Sequence, residues 1–181
     1  MIEIKFLGKG GQGVVVASEM LARACFEEGL YPQCYSLFGG ERRGAPVAAF
    51  VRIDDKKIFL KCDIDRPNHF ALFDSSLLND KEIVELVQPG GSLLLNMERS
   101  LSSEALEALK KYKVGQINAF EISEKVGLRG LVNTAMLGAY VCLSQVVPLG
   151  RLLKVIGENV PAAIDQNIMA AKEAYESLCI I

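Results

Sequence analysis

The sequence predicts an α/β fold: a Rossmann-like, mostly parallel sheet with an antiparallel hairpin and a helical C-terminal tail. Three observations lead to this prediction. A strand pattern, a glycine turn and a helix pattern open the chain, strand and helix patterns then alternate, and residues 132–178 read only as helices. The 181 residues contain no internal repeat and no evident linker, so we expect one domain over residues 1–181.

The first strand and the first helix have the clearest patterns. Residues 2–7 alternate in the manner of a strand. A helix pattern runs from about residue 11 to residue 28 and stops before Gly29, because glycine is a natural residue just past a helix C-terminus. Apart from a charged stripe this helix is nearly all apolar, so we expect it to be buried on more than one side. The stripe consists of Glu19, Arg23 and Glu27.

The later elements follow in order. Strands are predicted at residues 33–37, 69–73, 92–96 and 114–119, and residues 47–53 and 57–61 are predicted to form an antiparallel hairpin around Asp54 and Asp55. Helices are predicted at 82–87, from a cap at Ser102 or Ser103 to about 112, and at 132–147, 150–158 and 161–178. The helix from residue 132 carries a small-residue ridge, which we interpret as a close helix contact: Ala135, Gly138, Ala139 and Cys142.

Charge and hydropathy exclude two classes of partner. The formal net charge is −2 without a basic run, which argues against nucleic acid. The longest uncharged run, 131–147, is too short and too polar for a membrane span, and the chain opens on a strand pattern instead of a signal peptide. We therefore expect a cytoplasmic protein. Half of the residues are hydrophobic, which indicates surface buried against partners, including a second copy when the chain is isolated.

Metal-binding spacing is missing. The five cysteines are scattered at Cys25, Cys34, Cys62, Cys142 and Cys179, and none forms a C-x-x-C pair. Iron–sulfur clusters and structural zinc use close-set thiolates or imidazoles, so we expect no metal site in this chain. Most of the cysteines are interpreted as small core residues. The only histidine, His69, stands on a predicted strand without a triad pattern nearby and is interpreted as structural.

The glycine turn is the first candidate site. Gly8, Gly10 and Gly13 match the G-x-G-x-x-G fingerprint between a strand and a helix, where free N–H groups attract an anion. The acid that should follow the second strand for a dinucleotide ribose is missing, since the first acid there is Glu41. A dinucleotide, a ligand-free turn, and a phosphate group or partner backbone all stay open. The site consists of Gly8, Lys9, Gly10, Gly11, Gln12 and Gly13.

The loop after the second strand is the other candidate. Arg42 and Arg43 stand between glycines and can direct guanidinium groups at a phosphate or carboxylate. The simpler alternative is that Glu41 pairs with one of them on a solvated loop. The loops after the first and second strands of a parallel sheet lie at the same carboxyl edge. We therefore expect this loop, with Gly44, to neighbour the glycine turn.

These two segments together carry a resemblance to a known family. Residues 5–13 (KFLGKGGQG) and 38–47 (FGGERRGAPV) resemble the gamma subunits of pyruvate and branched-chain 2-oxoacid:ferredoxin oxidoreductases. Members carry a G-(R/K)-G-G-Q-G turn and an F-G-x-E-R-R-G-A-P-V loop at about this separation. The resemblance continues through 50–53 (FVRI), 74–78 (DSSLL), 133–139 (NTAMLGA) and Asn167, and so spans nearly the whole chain.

The resemblance implies a role inside a larger enzyme. That enzyme converts a 2-oxoacid and CoA to an acyl-CoA and passes the electrons to ferredoxin. Thiamine diphosphate, magnesium and the iron–sulfur clusters belong to alpha, beta and delta-type chains, and the resemblance implies that the gamma chain packs beside them and helps to close the CoA-facing side. It carries no catalytic residue, so the isolated chain is expected to be inactive. The Glu41-Arg42-Arg43 form favours the pyruvate or 2-oxoisovalerate branch over 2-oxoglutarate.

Two other functions stay open from the sequence. A stand-alone Rossmann-type nucleotide-binding oxidoreductase would explain the glycine fingerprint, and tight binding of NAD or FAD by the isolated chain would support it. A pure assembly module would explain the glycines as structural. It differs from the assisting subunit only in whether the two loops contact a ligand.

Overall fold

The structure, a computed structural model, describes residues 1–38, 44–79, 85, 87–98 and 101–181. Its strands are β1 (Ile2–Lys9), β2 (Tyr31–Phe38), β3 (Pro46–Asp54), β4 (His69–Leu72), β5 (Ser92–Asn96), β6 (Lys113–Ile117) and β7 (Cys179–Ile180). Its helices are α1 (Val14–Glu27), α2 (Ser103–Leu109), α3 (Ala119–Lys125), α4 (Asn133–Ser144), α5 (Leu149–Asn159) and α6 (Ile164–Ser177), with a 3₁₀ turn at Ser75–Leu77. None of the helices in these described ranges combines the length and the hydropathy of a membrane span.

The strands form one sheet in the order β2-β3-β1-β4-β5-β6-β7. The pairs β1–β4, β4–β5 and β5–β6 are parallel, whereas β3 is antiparallel to both of its neighbours and β7 is antiparallel to β6. All strands except β3 and β7 therefore run in the same direction. The predicted fold class, a mostly parallel sheet with an antiparallel hairpin, is confirmed.

The predicted partners of that hairpin were wrong. Residues 57–61 form no strand, and the hairpin consists of β2 and β3, paired over their whole lengths from Tyr31–Asp54 to Phe38–Val47. Since β1 occupies the other side of β3, β3 has no free edge for residues 57–61. Their contact with β2 is made through a side chain instead, because the Gln33 amide donates to the Leu60 carbonyl (2.8 Å).

One face of the sheet is covered by α1 and α4, and the larger core lies between the sheet, these two helices and the helices α5 and α6 that pack against them. Helices α4 and α6 run parallel, because Thr134 bonds Asn167 (3.0 Å) and Gly138, one turn later, contacts Ala171. A Cβ on Gly138 would lie 2.0 Å from the Ala171 carbonyl oxygen, so only glycine allows the two backbones to approach this closely. The predicted close helix contact is confirmed.

The other face is covered by α2 over the parallel strands. Leu109 of α2 packs there in a second buried cluster with Phe70, Leu72, Leu93 and Leu95. Ser102 caps α2 as predicted, since its hydroxyl accepts from the Ala105 N–H (3.2 Å). The two layers leave the strand ends, rather than the sheet faces, available for a site.

Several predicted boundaries need correction. The predicted strand 114–119 is too long, because Asn118 caps α3 by accepting from the Glu121 N–H (3.1 Å), and α3 and β7 were not predicted. Of the predicted helix 82–87, residues 82–84 and 86 lie outside the described residues.

The cysteine interpretation was wrong, because only Cys25 is buried, while Cys62 and Cys179 are exposed. Burial raises the pKa of Cys25 to about 12.

Candidate functional site at the carboxyl edge of the sheet

The candidate site lies where the parallel strands end. The glycine turn follows β1, Asp74 follows β4 by two residues, and Asn96 ends β5. Buried Asn96 joins these parts: its amide donates to the Phe73 carbonyl (2.8 Å) and its oxygen accepts from the Ala119 N–H at the start of α3 (2.8 Å). Ligands of open α/β sheets bind at this edge.

The glycine turn contains positions that only glycine can occupy without strain or steric overlap. Gly11 and Gly13 have φ angles of 98° and 74°, which belong to the left-handed region. Gly8 has no room for a side chain, because a Cβ there would lie 2.6 Å from Val14 and 2.8 Å from Phe73. The turn therefore fits tightly between β1 and α1, and α1 starts directly after it.

The side chains of the turn form a network with Asp74. The Gln12 amide accepts from the Lys9 N–H (2.7 Å) and donates to Asp74 Oδ2 (2.9 Å). Lys9 Nζ lies 3.1 Å from the same carboxylate oxygen and also donates to Ser76 Oγ. Lys9, predicted as a ligand of an anion, is thus already paired with a carboxylate, and Gln12 fixes the shape of the turn.

Asp74 stays ionised at this edge. Burial alone would raise its pKa, but hydrogen bonds from Ser76, Lys9 and Gln12 outweigh that effect and hold the pKa below the usual value of an aspartate. Its other oxygen accepts from Ser76 N (3.0 Å) and Ser76 Oγ (2.6 Å). The carboxylate is therefore fully used in holding β4, the 3₁₀ turn and the glycine turn together.

The turn still offers backbone donors. No described residue accepts a hydrogen bond from the N–H of Gly11 or Gly13, and the first N–H groups of α1 have no acceptor within the helix. Gly11 is exposed, so this end of α1 is open to an incoming group. Such donors favour an anion at a helix N-terminus.

The described end of the second predicted loop, Gly44 and Ala45, adjoins the turn. The Gly10 N–H donates to the Ala45 carbonyl (2.9 Å), and the Gly44 N–H donates to the Gly10 carbonyl (3.2 Å). Gly44, with a φ of 88°, connects the loop to β3. Glu41, Arg42 and Arg43 lie outside the described residues, but their loop is joined to the turn through Gly44. β1 and β2 run in the same direction with β3 between them, so their carboxyl ends share one edge.

A third segment reaches the turn that the sequence did not indicate. A Cβ on Gly13 would lie 2.8 Å from the side-chain nitrogen of Asn133, the first residue of α4. The preceding loop has three left-handed residues, Gly127, Arg129 and Gly130, and Arg129 is exposed. The N-termini of α1 and α4 thus meet at this edge. Asn133 opens the segment 133–139 (NTAMLGA), which carries part of the family resemblance, but that resemblance did not place it beside the glycine turn.

The far end of the same edge has the opposite charge. A cleft of about 650 Å³ near the end of β6 is lined by Glu98, Glu121 and Glu173, with Lys125 held against Glu173 (2.6 Å). Carboxylates repel an anion, whereas the glycine turn presents amide donors. An anionic ligand is therefore favoured at the β1 end of the edge. Among the described residues, no three His, Cys, Asp or Glu side chains come together as a metal ion requires.

Comparison with known proteins decides the family. The model of the pyruvate ferredoxin/flavodoxin oxidoreductase family matches residues 3–177. The chain belongs to this family. It is 41% identical over 180 residues to the pyruvate synthase subunit PorC of Methanothermobacter marburgensis, with 98% of each chain covered. It is 40% identical over 183 residues to the common subunit gamma of the pyruvate/ketoisovalerate oxidoreductases of Thermococcus kodakarensis, covering 99% of this chain and 98% of that one.

A solved structure of the family has the same fold. The pyruvate oxidoreductase subunit PORC of Thermotoga maritima matches with a TM-score of 0.83 and 33% identity, over 99% of this chain and 97% of that chain. The resemblance carried by the two loops is thus confirmed. The stand-alone dinucleotide enzyme loses its support, since β2 ends without an acid and the family accounts for the glycine turn.

Proposed function

We infer that this chain is the gamma subunit of a 2-oxoacid:ferredoxin oxidoreductase of the pyruvate or ketoisovalerate type. One observation carries this conclusion: the match to separate PorC and gamma subunits runs over nearly the full length of both chains. The complete enzyme oxidatively decarboxylates its 2-oxoacid, forms an acyl-CoA and reduces ferredoxin. Thiamine diphosphate, magnesium and the iron–sulfur clusters reside on the alpha, beta and delta-type partners.

Within that enzyme, the carboxyl edge at β1 binds a phosphate group of CoA. The free N–H groups of Gly11 and Gly13 and the N-terminus of α1 support this proposal, because they are donors without described acceptors. Arg42 and Arg43 add two guanidinium groups on a loop that is hydrogen-bonded to the turn through Gly44. Lys9 and Gln12 act as positioning residues through Asp74.

Assembly tests the subunit role directly. The chain is co-expressed with candidate alpha, beta and delta chains and purified through an affinity tag on this subunit. We expect all four chains in one complex that reduces a viologen dye with pyruvate or 2-oxoisovalerate and CoA. The chain purified alone, after anaerobic incubation with iron and sulfide, should be colourless and inactive. Stoichiometric iron or turnover in the isolated chain contradicts the proposal, and so does recovery of this chain without its partners.

A further inference from the structure

The two edge strands of the sheet, β7 and β2, differ greatly in length. β7, at one edge, has two residues, whereas β2, at the other, has eight. β2 pairs with β3 along its inner side, and no described residue pairs with its outer side. A strand edge with unpaired N–H and C=O groups is a template for another strand. Natural proteins usually shorten or protect such an edge, and only the β7 edge is short here.

The sequence of β2 lacks the usual protection. Residues 29–40 (GLYPQCYSLFGG) contain no charged side chain, although charges on an edge strand are the common means of preventing strand pairing. Pro32 removes one N–H near the beginning of the strand and leaves the residues after it able to pair. The edge is therefore long, neutral and able to accept hydrogen bonds along most of its length.

Exposed apolar side chains flank this edge on both faces. Tyr31 and Leu37 of β2 are 47% and 52% exposed, and Leu60, whose carbonyl is bonded by Gln33 of β2, is 46% exposed. On the helical face, Phe26 in the last turn of α1 is 67% exposed. α1 lies directly over β2, because Ser18 bonds Cys34 (3.3 Å). An apolar border around an unpaired strand indicates an interaction surface.

We propose that β2 pairs antiparallel with β2 of a second copy of this chain, so that the sheet continues across a twofold axis. A twofold axis brings identical strand edges together antiparallel, which is the geometry of a self-complementary interface. A second copy fits this edge electrostatically, because an uncharged strand meets no like charge when it pairs with itself. The eight residues span about 26 Å, a small interface, so a weak dimer with a micromolar dissociation constant is expected.

The proposal is tested by introducing a positive charge on β2. In the dimer, Leu37→Lys or Tyr31→Lys places one lysine on β2 of each copy, so that two like charges lie at the interface. Met169→Lys is the matched control, since Met169 is 55% exposed on α6, away from β2. Sedimentation of the full chain is measured from about 1 to about 200 µM, the range in which small interfaces dissociate. Thermal melts establish that every variant is folded.

The wild-type chain and Met169→Lys should dimerise with the same dissociation constant, and the two β2 variants should bind roughly tenfold more weakly. Amide hydrogen exchange adds a readout specific to the strand, because β2 amides should exchange more slowly at high than at low protein concentration. A monomeric wild-type chain over the whole range overturns the proposal. A dimer that Met169→Lys disrupts and Leu37→Lys does not, or one without concentration-dependent protection of β2, overturns it too. None of these results depends on the proposed enzyme function.

Discussion

The two ends of the sheet both carry polar side chains, but they use them differently. At the amino end, His69 of β4 bonds Ser92 of β5 (2.5 Å), and Lys113 of β6 donates to the Leu143 carbonyl (2.6 Å). At the carboxyl end, Asp74 holds the glycine turn while the N–H groups of Gly11 and Gly13 have no described acceptor. A closed set of hydrogen bonds stabilises a fold, whereas unused donors are available to a ligand.

Substitutions in the glycine turn should lower the free energy of unfolding more than those elsewhere at either end of the sheet. Gly13→Ala introduces a Cβ at a φ of 74° and into contact with Asn133, whereas Gly29→Ala does so at a φ of 84° in open space. Strain alone costs about 1–2 kcal/mol and overpacking adds about 1–3 kcal/mol. We expect Gly29→Ala to lower the free energy of unfolding by the first amount and Gly13→Ala by both, as measured by urea denaturation. Equal losses would show that the turn does not pack tightly against α4.

Breaking the Asp74 network should lower the free energy of unfolding less than Gly13→Ala does. Asp74→Asn removes the ion pair with Lys9 and should lower the free energy of unfolding at neutral pH by about 1–2 kcal/mol, because the carboxylate is partly buried and also accepts from Gln12 and Ser76. The surface variant Glu173→Gln loses a more exposed pair with Lys125 and should lower the free energy of unfolding much less than Asp74→Asn does.

The stabilisation by Asp74 should depend on pH. Since the folded-state pKa of Asp74 is lowered, its stabilisation is present above the unfolded value of about 3.9 and is lost as the pH falls through the folded value. The difference between wild type and Asp74→Asn should therefore shrink in acid. A difference that is constant from neutral pH to about pH 2 would exclude the ion pair as its source.

A substitution of His69 at the amino end should have the smallest effect, and this effect should be on the pH dependence of stability. Burial, together with the charge of Lys113, lowers the pKa of His69, so the folded protein favours the neutral ring. Stability should fall as the pH drops below the unfolded value of about 6.5 and level off below the folded value. His69→Gln should remove this part of the pH dependence in denaturation curves between about pH 7 and pH 5 while leaving CoA kinetics unchanged. An altered Michaelis constant for CoA would contradict the structural role.

The sequence predicted what local chemistry determines. The turn at Gly8–Gly13, the cap at Ser102 and the ridge at Gly138 were read correctly, because backbone conformation and close packing restrict these positions to few residue types. The hairpin partner was predicted wrongly because strand pairing depends on which side of a strand is free, and β1 pairs with the side of β3 that β2 leaves open. Asn118 and Glu121 match a capping pattern that could have revealed α3. The contact of Asn133 with Gly13 joins residues far apart in sequence, which no local pattern encodes.

CoA binding at the β1 end of the carboxyl edge is tested by substituting Arg42 and Arg43. The Michaelis constant for CoA and the melting temperature are measured for the assembled oxidoreductase carrying Arg42→Ala or Arg43→Ala, with Arg23→Ala on the outer face of α1 as control. A lost charge-assisted contact is worth about 1.5–3 kcal/mol, so the Michaelis constant should rise roughly tenfold to a hundredfold at an unchanged melting temperature. An unchanged constant, or a collapse of thermal stability instead, would contradict the claim and leave the loop as a structural or assembly element.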